Sequence, residues 1–334
     1  MTAELTVCVS LLLFAVCFAI LRSNLTFKAL SAIQRGDIEG AKLLYQQCIE
    51  KKPDSYIGHL GLAYCYVQLA DPEQAILECG SALDCSNPSP QIYCARAAAL
   101  FDCHRYEESK ADCDKLISIN CRKDLAYINR SLANFGMKKL DDALADCNEA
   151  LTLSRGGDIA KCLTNRSIVL AYGGNLEEAI KDCTKAIKID PKSVLARIFR
   201  GYYYAIKRQF DHAHADLDLT RSLPCPPRET AYLLCARAEL ELLEGDLESA
   251  LSFANQALDI KPNWPRSLVA LALVLIHKGD ADTALAELDQ AISRDPFHAE
   301  AYWARCKAYE VLSCGEKADQ DKQAYERLGY RPHM

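Results

Sequence analysis

Four cysteines recur at almost even intervals along this chain. The thiols belong to Cys79, Cys113, Cys147 and Cys183, and the intervals between them are 34, 34 and 36 residues. Thiols at a regular spacing could form disulfides, ligate a metal, attack a substrate as nucleophiles or fill equivalent packing positions. Each of these four chemistries predicts a different protein.

The residues around the cysteines favour packing over the other three chemistries. No C-x-x-C motif occurs, and His212 and His214 would lie on different faces of a helix, so no metal site and no cofactor is predicted. No base is spaced to activate a nucleophilic thiol. Equivalent positions on packed helices lie about 8–10 Å apart, beyond the Cα separation of roughly 7 Å that a disulfide allows. We therefore expect buried free thiols, as in a reducing compartment.

Arginine and aspartate recur together with a similar period. In five places an arginine precedes an aspartate by 16 residues: Arg96 and Asp112, Arg130 and Asp146, Arg166 and Asp182, Arg200 and Asp216, and Arg305 and Asp321. The joint occurrence predicts an ion pair that ties one helix to another, contributing about 0.2–1 kcal/mol when partly exposed. A row of arginines that binds a ligand is the alternative.

The composition indicates an all-helical protein. Half of the 334 residues are hydrophobic, and helix formers such as Ala, Leu, Glu and Lys dominate over alternating strand patterns. The formal net charge is -6, and no cluster of basic residues occurs. Because binding to phosphate backbones needs concentrated Lys and Arg, a nucleic-acid partner is not predicted.

A period of about 34 residues organises the chain beyond its first 21 residues. Nine units begin at residues 22, 56, 90, 124, 160, 194, 231, 265 and 299. Several units place Gly before Asp or Asn near their middle, as at Gly36-Asp37 and Gly279-Asp280, which predicts a left-handed helix end followed by a helix N-cap. Alanines recur in the second half of each unit, and prolines such as Pro53 and Pro191 end it. Each unit is therefore a predicted helical hairpin.

With these features the chain resembles a tetratricopeptide repeat (TPR) array over residues 22–332. The segment NRSIVLAYGGNLEEAIKDCTKAIKIDP at residues 165–191 matches the family pattern closely, whereas the unit at residue 90 lacks the turn glycine. The resemblance implies an all-α, right-handed superhelical solenoid of about nine helix-turn-helix repeats, whose first helices line a concave groove. Because each hairpin buries its apolar face only against its neighbours, one continuous solenoid is expected.

The first 21 residues predict a membrane anchor, one transmembrane helix ahead of the repeats. The stretch from Leu5 to Leu21 carries no charge and would form a helix of about 25 Å, close to the thickness of the hydrocarbon core of a bilayer. A cleaved signal peptide is the alternative. Glu4 precedes the stretch, and Arg22 and Lys28 follow it. The positive-inside tendency therefore predicts a single-pass membrane protein with its repeats on the cytoplasmic side.

The resemblance also implies where a ligand would bind. Ligand contacts in the family come mainly from positions 2, 5, 9 and 12 of the first helices. The side chains at these positions are mostly apolar or aromatic: Tyr64, Val67, Phe101, Leu132, Phe135, Ile168, Tyr202, Leu242, Leu273 and Ile276. Exposed apolar grooves usually bind protein, so we expect a peptide or helix of a partner protein.

One specialised branch of the family grips the acidic C-terminal tails of chaperones with a clamp of Lys, Arg and Asn side chains. Asn129, Asn165 and Lys161 fill parts of that pattern, but the remaining positions do not match it. The motifs of nucleotide-binding loops, zinc proteases and serine hydrolases are missing, so no enzyme is predicted. The predicted function is a membrane-anchored scaffold or adaptor that binds a partner protein. A chaperone cofactor, or a receptor similar to mitochondrial import receptors, is the alternative.

Overall fold

The computed structural model of the protein describes residues 24–69, 71–223, 225 and 227–332, and this part of the chain is all helical. Its eighteen α-helices are α1 (Leu25–Gln34), α2 (Ile38–Lys51), α3 (Tyr56–Gln68), α4 (Pro72–Leu83), α5 (Gln91–Asp102), α6 (Tyr106–Ser118), α7 (Lys123–Gly136), α8 (Leu140–Leu153), α9 (Gly157–Tyr172), α10 (Leu176–Ile189), α11 (Val194–Ile206), α12 (Phe210–Leu219), α13 (Pro227–Glu244), α14 (Leu247–Ile260), α15 (Pro265–His277), α16 (Ala281–Arg294), α17 (Ala299–Val311) and α18 (Gly315–Arg327). Each predicted unit therefore forms one helical hairpin, a first helix followed by a second.

The turns within the hairpins have the predicted chemistry. Gly36, Gly245 and Gly279 adopt φ values of 80°, 92° and 86°, the left-handed conformation that ends a helix without a Cβ clash. The side chains of Asp37, Asp71, Asp246 and Asp280 then accept hydrogen bonds from backbone N–H groups in the first turn of the next helix. Asn175, at the equivalent place, makes no such hydrogen bond, so the predicted N-cap is wrong there.

The prolines end the second helices as expected. The helices α2, α10, α14 and α16 each stop two residues before Pro53, Pro191, Pro262 and Pro296, respectively. Proline cannot donate the hydrogen bond that continues a helix, and it disfavours a helical residue before it. The next first helix begins three residues after each of these prolines.

Alanines form the interfaces between the helices. Seven of them have no exposed surface at the first recurring alanine position: Ala41, Ala75, Ala143, Ala179, Ala213, Ala250 and Ala284. Five more are equally buried one face further along the second helix: Ala82, Ala150, Ala186, Ala257 and Ala291. Side chains this small allow helix axes to approach closely, so the core of the protein lies along the hairpin interfaces.

The described chain divides into two compact units, one ending at Cys103 and one beginning at His104. The first unit contains α1 to α5, and the second contains α6 to α18. Tyr45, Leu62 and Cys65 belong to one apolar cluster of the first unit, and Cys79 and Ile92 belong to another.

Within the second unit, each first helix from α7 to α15 contacts the first helix of the next repeat. The start of this unit also meets its last connecting loop. The Tyr106 hydroxyl donates to Asp295 Oδ2 over 3.1 Å, and the ring of Tyr106 meets that of Phe297 edge-on at 6.1 Å. His104 Nδ1 lies 3.5 Å from the same carboxylate. The second unit therefore curves far enough for its first residues to contact the loop between repeats eight and nine.

Asp295 is the charged centre of this closing contact. Burial alone would raise its pKa, but the hydrogen bond and charge of His298, together with the charges of His104 and Lys138, lower the pKa to about 2. The carboxylate is therefore ionised at any ordinary pH and holds basic side chains from both ends of the unit.

The predicted ion pairs are confirmed in repeats four, five, six and nine. In each, the guanidinium group of the first helix donates two hydrogen bonds of 2.6–2.9 Å to the aspartate of the second helix. The aspartate side chains are only 2–6% exposed. A bidentate pair of this kind fixes the angle and the register between the two helices of a hairpin.

The same arginines also reach back to the preceding repeat, a contact that the sequence did not indicate. Their Nη1 groups donate to the polar residue two positions after the acidic residue at the aspartate position of the preceding repeat, which is Glu287 in repeat eight: to Asp114 at 2.6 Å, Asn148 at 2.8 Å, Thr184 at 3.1 Å and Asp289 at 2.6 Å. Each guanidinium therefore joins three helices. In repeat seven, Phe253 replaces the aspartate and lies under the Arg237 guanidinium, yet Arg237 still donates to Asp218 of repeat six.

The predicted membrane helix at residues 5–21 lies outside the described residues. Among the helices that are described, none is both long and apolar enough to cross a bilayer. The structure therefore lends no support to the transmembrane part of the predicted fold.

The three-helix contact of each arginine predicts a measurable stability effect. We expect Arg166→Ala to lower the free energy of unfolding by about 1–2 kcal/mol, because it leaves the buried Asp182 carboxylate without its bidentate donor. Lys181→Ala is the matched control, since it removes an ion pair to Glu178 whose lysine side chain is 62% exposed. Urea denaturation followed by circular dichroism compares the two variants. Equal urea midpoints for the two variants would show that the arginine–aspartate pairs do not stabilise the fold.

Candidate functional site

One depression that the structure describes in the second unit is an open groove of about 750 Å³. Its walls come from the first helices of repeats six to nine and from the turn after α11. The lining residues, which define the groove, are Ile206, Arg208, Leu242, Leu243, Leu273, Ile276, His277, Trp303, Lys307, Glu310 and Val311. Seven of them are apolar. Leu242, Leu273 and Trp303 are buried in the hydrophobic core, so the hydrophobic surface open to a ligand comes from Ile206, Leu243, Ile276 and Val311.

Helical spacing explains why these side chains share one face. On α15, Leu273, Ile276 and His277 are separated by three and four residues. On α17, Trp303 and Lys307 are four apart, and Val311 follows after another four. Because consecutive first helices pack side by side, these stripes join into one surface that crosses four repeats.

Charged side chains stand at the rim of the groove. Lys307 Nζ donates to Glu310 Oε2 over 2.8 Å, so these two charges satisfy one another. The imidazole of His277 contacts the backbone oxygen of Leu273 at 2.8 Å. Arg208 forms no ion pair with any residue that the structure describes. The groove therefore presents one uncompensated guanidinium beside an apolar floor.

Arg208 also has an unusual backbone conformation. Its φ is 56°, in the left-handed region, at the turn position that Gly174, Gly245 and Gly279 fill in other repeats. A residue with a Cβ adopts this conformation at a cost of about 1 kcal/mol. His104 and Lys138 occupy the same turn position in repeats three and four, with φ values of 59° and 62°.

A buried ion pair lies beside the groove, toward the N-terminal ends of the first helices. Arg266 Nη2 donates to Glu239 Oε1 over 3.2 Å, and the guanidinium lies 5.1 Å from the ring of Tyr202 and 5.9 Å from that of Tyr232. Burial raises the pKa of Glu239 to about 7, although the charge of Arg266 opposes that rise. Stacking between aromatic rings and hydrogen bonding together hold Arg266 in this low-dielectric position.

The C-terminal segment reaches the same concave side. The Tyr330 ring lies 5.5 Å from that of Tyr172 and 6.1 Å from that of Trp303. The Tyr172 hydroxyl also donates to the backbone oxygen of Leu328 over 3.3 Å. Gly329 has a φ of 72°, and the Tyr330 N–H donates to Tyr325 O, a C-terminal helix cap that turns Tyr330 back onto the first helices. Tyr330 therefore packs against aromatic rings of α9 and α17.

The predicted groove residues fall into three environments. Leu242, Leu273 and Ile276 line the groove. Others take part in packing. The Phe135 ring lies 5.3 Å from the Tyr172 ring and 4.8 Å from the Lys138 ammonium. Ile168 packs on an apolar cluster, and the Tyr202 ring lies under the Arg266 guanidinium. Leu132 is half-buried on α7.

Three predicted groove residues belong to the first unit, and none of them is among the residues that line the groove of the second unit. Tyr64 is 46% exposed, Val67 packs on the apolar cluster of Cys79 and Ile92, and Phe101 is half-buried. The residues of the partial clamp lie in repeats four and five, Asn129 and Asn165 half-buried and Lys161 exposed. Lys161 forms an ion pair of 2.9 Å with Asp158 of its own helix.

Comparison with protein families decides the classification. Two models described as tetratricopeptide repeat match the chain, one at residues 32–110 and 241–306 and the other at residues 160–193. Together they cover more than half of the sequence. The chain belongs to the tetratricopeptide repeat family. The TPR resemblance inferred from the turn glycines, alanines and prolines is thereby confirmed.

Two curated relatives match parts of the TPR array. One is the DnaJ homolog subfamily C member 7 homolog of Schizosaccharomyces pombe, 24% identical over 169 residues, which are 47% of this chain and 36% of the relative. The other is the photosystem I assembly protein Ycf3 of Acaryochloris marina, 32% identical over 111 residues, 32% of this chain and 66% of the relative. The matched segments thus span about one third and about two thirds of the lengths of these proteins.

Solved structures share the helical repeat fold. A structure of an IFIT1 monomeric mutant with Gppp-AAAA is 14% identical, with a TM-score of 0.54 over 83% of this chain and 70% of that chain. A tetratricopeptide repeat protein from Parabacteroides merdae is 19% identical, with a TM-score of 0.46 over 86% of this chain and 94% of that chain. At this identity the first likeness shows the fold alone.

The evenly spaced thiols of the TPR array are packing residues, as predicted. Cys79, Cys113, Cys147 and Cys183 are at most 1% exposed, on second helices at the position that lies between the two recurring alanine positions. Burial raises the pKa of Cys147 and of Cys183 to about 12, and weaker hydrogen bonds with Ser131 and Ser167 oppose that rise. A thiol that stays protonated is a poor nucleophile and a poor metal ligand.

Sequence reasoning missed several polar residues of the TPR groove and its surroundings. Arg266 and Glu239 occupy positions 2 and 9 of their units, which the family pattern already marks as ligand-facing, so the same count could have found them. Arg208 and Tyr330 carried no such signal. One lies at a turn position and the other follows the last helix, and only the packed structure places Arg208 on the groove and Tyr330 against Trp303.

The burial of the thiols predicts their reactivity. We expect brief treatment of the folded protein with iodoacetamide at pH 8 to alkylate the exposed Cys314 at least about a hundredfold faster than Cys147 or Cys183, since burial and a raised pKa both suppress their thiolates. Peptide mass spectrometry measures the rates. The same reaction in urea should label all three cysteines. Rapid labelling of Cys183 in the folded protein would contradict the packing role.

Proposed function

We propose that this protein is an interaction scaffold whose groove binds a peptide or a helix of a partner protein. The observation that supports the proposal is the open groove of about 750 Å³, whose apolar floor is contributed by four consecutive first helices. Apolar surface that remains open to solvent in a folded repeat array is typical of a protein-binding site. The TPR fold itself generally serves non-enzymatic interaction, which favours a scaffold over a catalyst.

The names of the relatives agree with such a role. One is a DnaJ homolog and the other is an assembly protein of photosystem I. The second name describes the assembly of a protein complex. For this chain we therefore infer a protein ligand, and the first relative favours a chaperone cofactor as the second candidate. The ion pair of Lys161 with Asp158 disfavours the tail clamp of that candidate, because this lysine already has a carboxylate partner.

We also propose that residues 5–21 tether the array to a membrane, with the repeats on the cytoplasmic side. The support is in the sequence: seventeen residues without charge, followed by Arg22, Lys28 and Arg35. A tethered scaffold would concentrate its partner at the membrane surface.

Groove binding can be tested with a displayed library of random 12-residue peptides selected on the full chain. We expect Ile276→Ala combined with Val311→Ala to weaken the selected peptides about tenfold or more, because both side chains line the groove. Leu153→Ala is the matched control, an exposed apolar residue on a second helix. Fluorescence anisotropy gives the affinities. Peptides that bind both variants equally well would show that the groove is not the binding site.

The tether predicts a change in cell fractionation. The full chain should sediment with membranes and resist carbonate extraction, whereas a chain lacking residues 1–21 should move to the supernatant with an unchanged circular dichroism spectrum. The reason is that the uncharged stretch is long enough to cross most of the hydrocarbon core. A truncated chain that still sediments with membranes would contradict the tether.

A further inference from the structure

The turn between the two helices of a hairpin is the starting point for a more specific assignment. Four repeats fill the left-handed position of this turn with glycine: Gly36, Gly174, Gly245 and Gly279. Four others fill it with residues that have a side chain: His104, Lys138, Arg208 and Ser313. Since glycine adopts this conformation without strain, a large polar side chain there needs a compensating role.

Two of the large side chains have such a role within the fold. His104 Nδ1 lies 3.5 Å from Asp295, in the contact that closes the second unit. The Lys138 ammonium lies 4.4 Å from the Tyr172 ring and 4.8 Å from the Phe135 ring. Arg208 differs from both, because its guanidinium lines the groove and has no ion pair among the described residues.

The other charges of the groove leave this positive charge uncompensated. Lys307 and Glu310 pair with each other at 2.8 Å on α17. Arg208 lies at the end of α11, at the other side of the four-helix groove. A ligand that fills the groove thus meets apolar side chains along its length and an open guanidinium fork at the α11 end. Guanidinium groups bind carboxylates in a bidentate manner with high geometric selectivity.

We propose that the groove selects a partner segment in which apolar side chains are accompanied by an Asp or Glu, and that Arg208 binds this side-chain carboxylate. This assignment rests on the proposed function of the groove. Four adjacent helices span roughly 25–30 Å, which an extended segment of about eight residues covers. The apolar residues of the segment contact the floor between Leu242 and Trp303, and the acidic residue lies over the turn after α11.

The turn conformation supplies a variant that separates binding from folding. Arg208→Gly removes the guanidinium and at the same time relieves the left-handed strain, since glycine fills this position in four other repeats. Its melting temperature should be unchanged or up to about 3 °C higher. Ser313→Gly is the matched control, because it makes the same backbone change at a turn whose side chain does not line the groove.

The probe is the random 12-residue peptide library, displayed with a neutral linker after each peptide so that no free C-terminus takes part. Selection on the full chain should enrich Asp or Glu together with Leu, Ile or Phe. Arg208→Gly should lower the affinity of the selected peptides about three- to tenfold and abolish the acidic enrichment. Ser313→Gly should change neither. Arg208→Glu should reverse the preference, enriching Lys and Arg instead.

The outcomes distinguish this inference from the proposed function. Two outcomes would overturn the inference and leave the groove as a binding site. One is the selection of apolar peptides that depend on Ile276 and Val311 but show no acidic preference. The other is an acidic preference that survives Arg208→Glu. Peptides that ignore Ile276 and Val311 would overturn both. Equal affinity losses in Arg208→Gly and Ser313→Gly would assign the effect to the turn backbone and would also overturn the role of the guanidinium.

Discussion

A pair of antiparallel helices has no interior of its own, and this constraint shapes the whole protein. Each hairpin can bury its apolar residues only against the hairpins before and after it, so the core is distributed along the interfaces. The fully buried alanines of the second helices make those interfaces narrow, and the buried thiols fill the space between them. These side chains of the second helices are buried at the interfaces between hairpins. The surface formed by the first helices therefore remains available for a ligand.

The repeated arginine–aspartate pairs fix the register of the packed helices. Interfaces made of small hydrophobic residues allow neighbouring helices to slide past one another. A planar guanidinium prevents this sliding, because it donates two hydrogen bonds to one aspartate and another, through Nη1, to a third helix. Repeat seven shows which half of the contact persists: Arg237 stacks on Phe253 in place of an aspartate, yet it keeps its bond to the preceding repeat. The link between repeats is thus retained where the link within the hairpin has been replaced.

The turns are where the repeats differ from one another. Glycine adopts the turn conformation without strain but contributes no side chain. A repeat without this glycine has backbone strain at the turn and a side chain that can make a tertiary contact. His104 and Lys138 serve the curvature of the second unit, which brings the loop of Asp295 against its first residues. Arg208 instead lines an open groove. The same curvature brings Tyr330 against Tyr172 and Trp303.

The sequence by itself determined the hairpins, because turn glycines, buried alanines, terminal prolines and paired arginines act within about 34 residues and leave a periodic trace. It also identified the thiols as core residues. Only the tertiary structure decided which apolar side chains remain open: Ile276 and Val311 line the groove and keep exposed surface, while Leu273 is buried in the core and Phe135 is held among Tyr172 and Lys138. The physical reason is that exposure depends on how far consecutive hairpins rotate and on what then meets across the resulting curve. No single repeat carries that information.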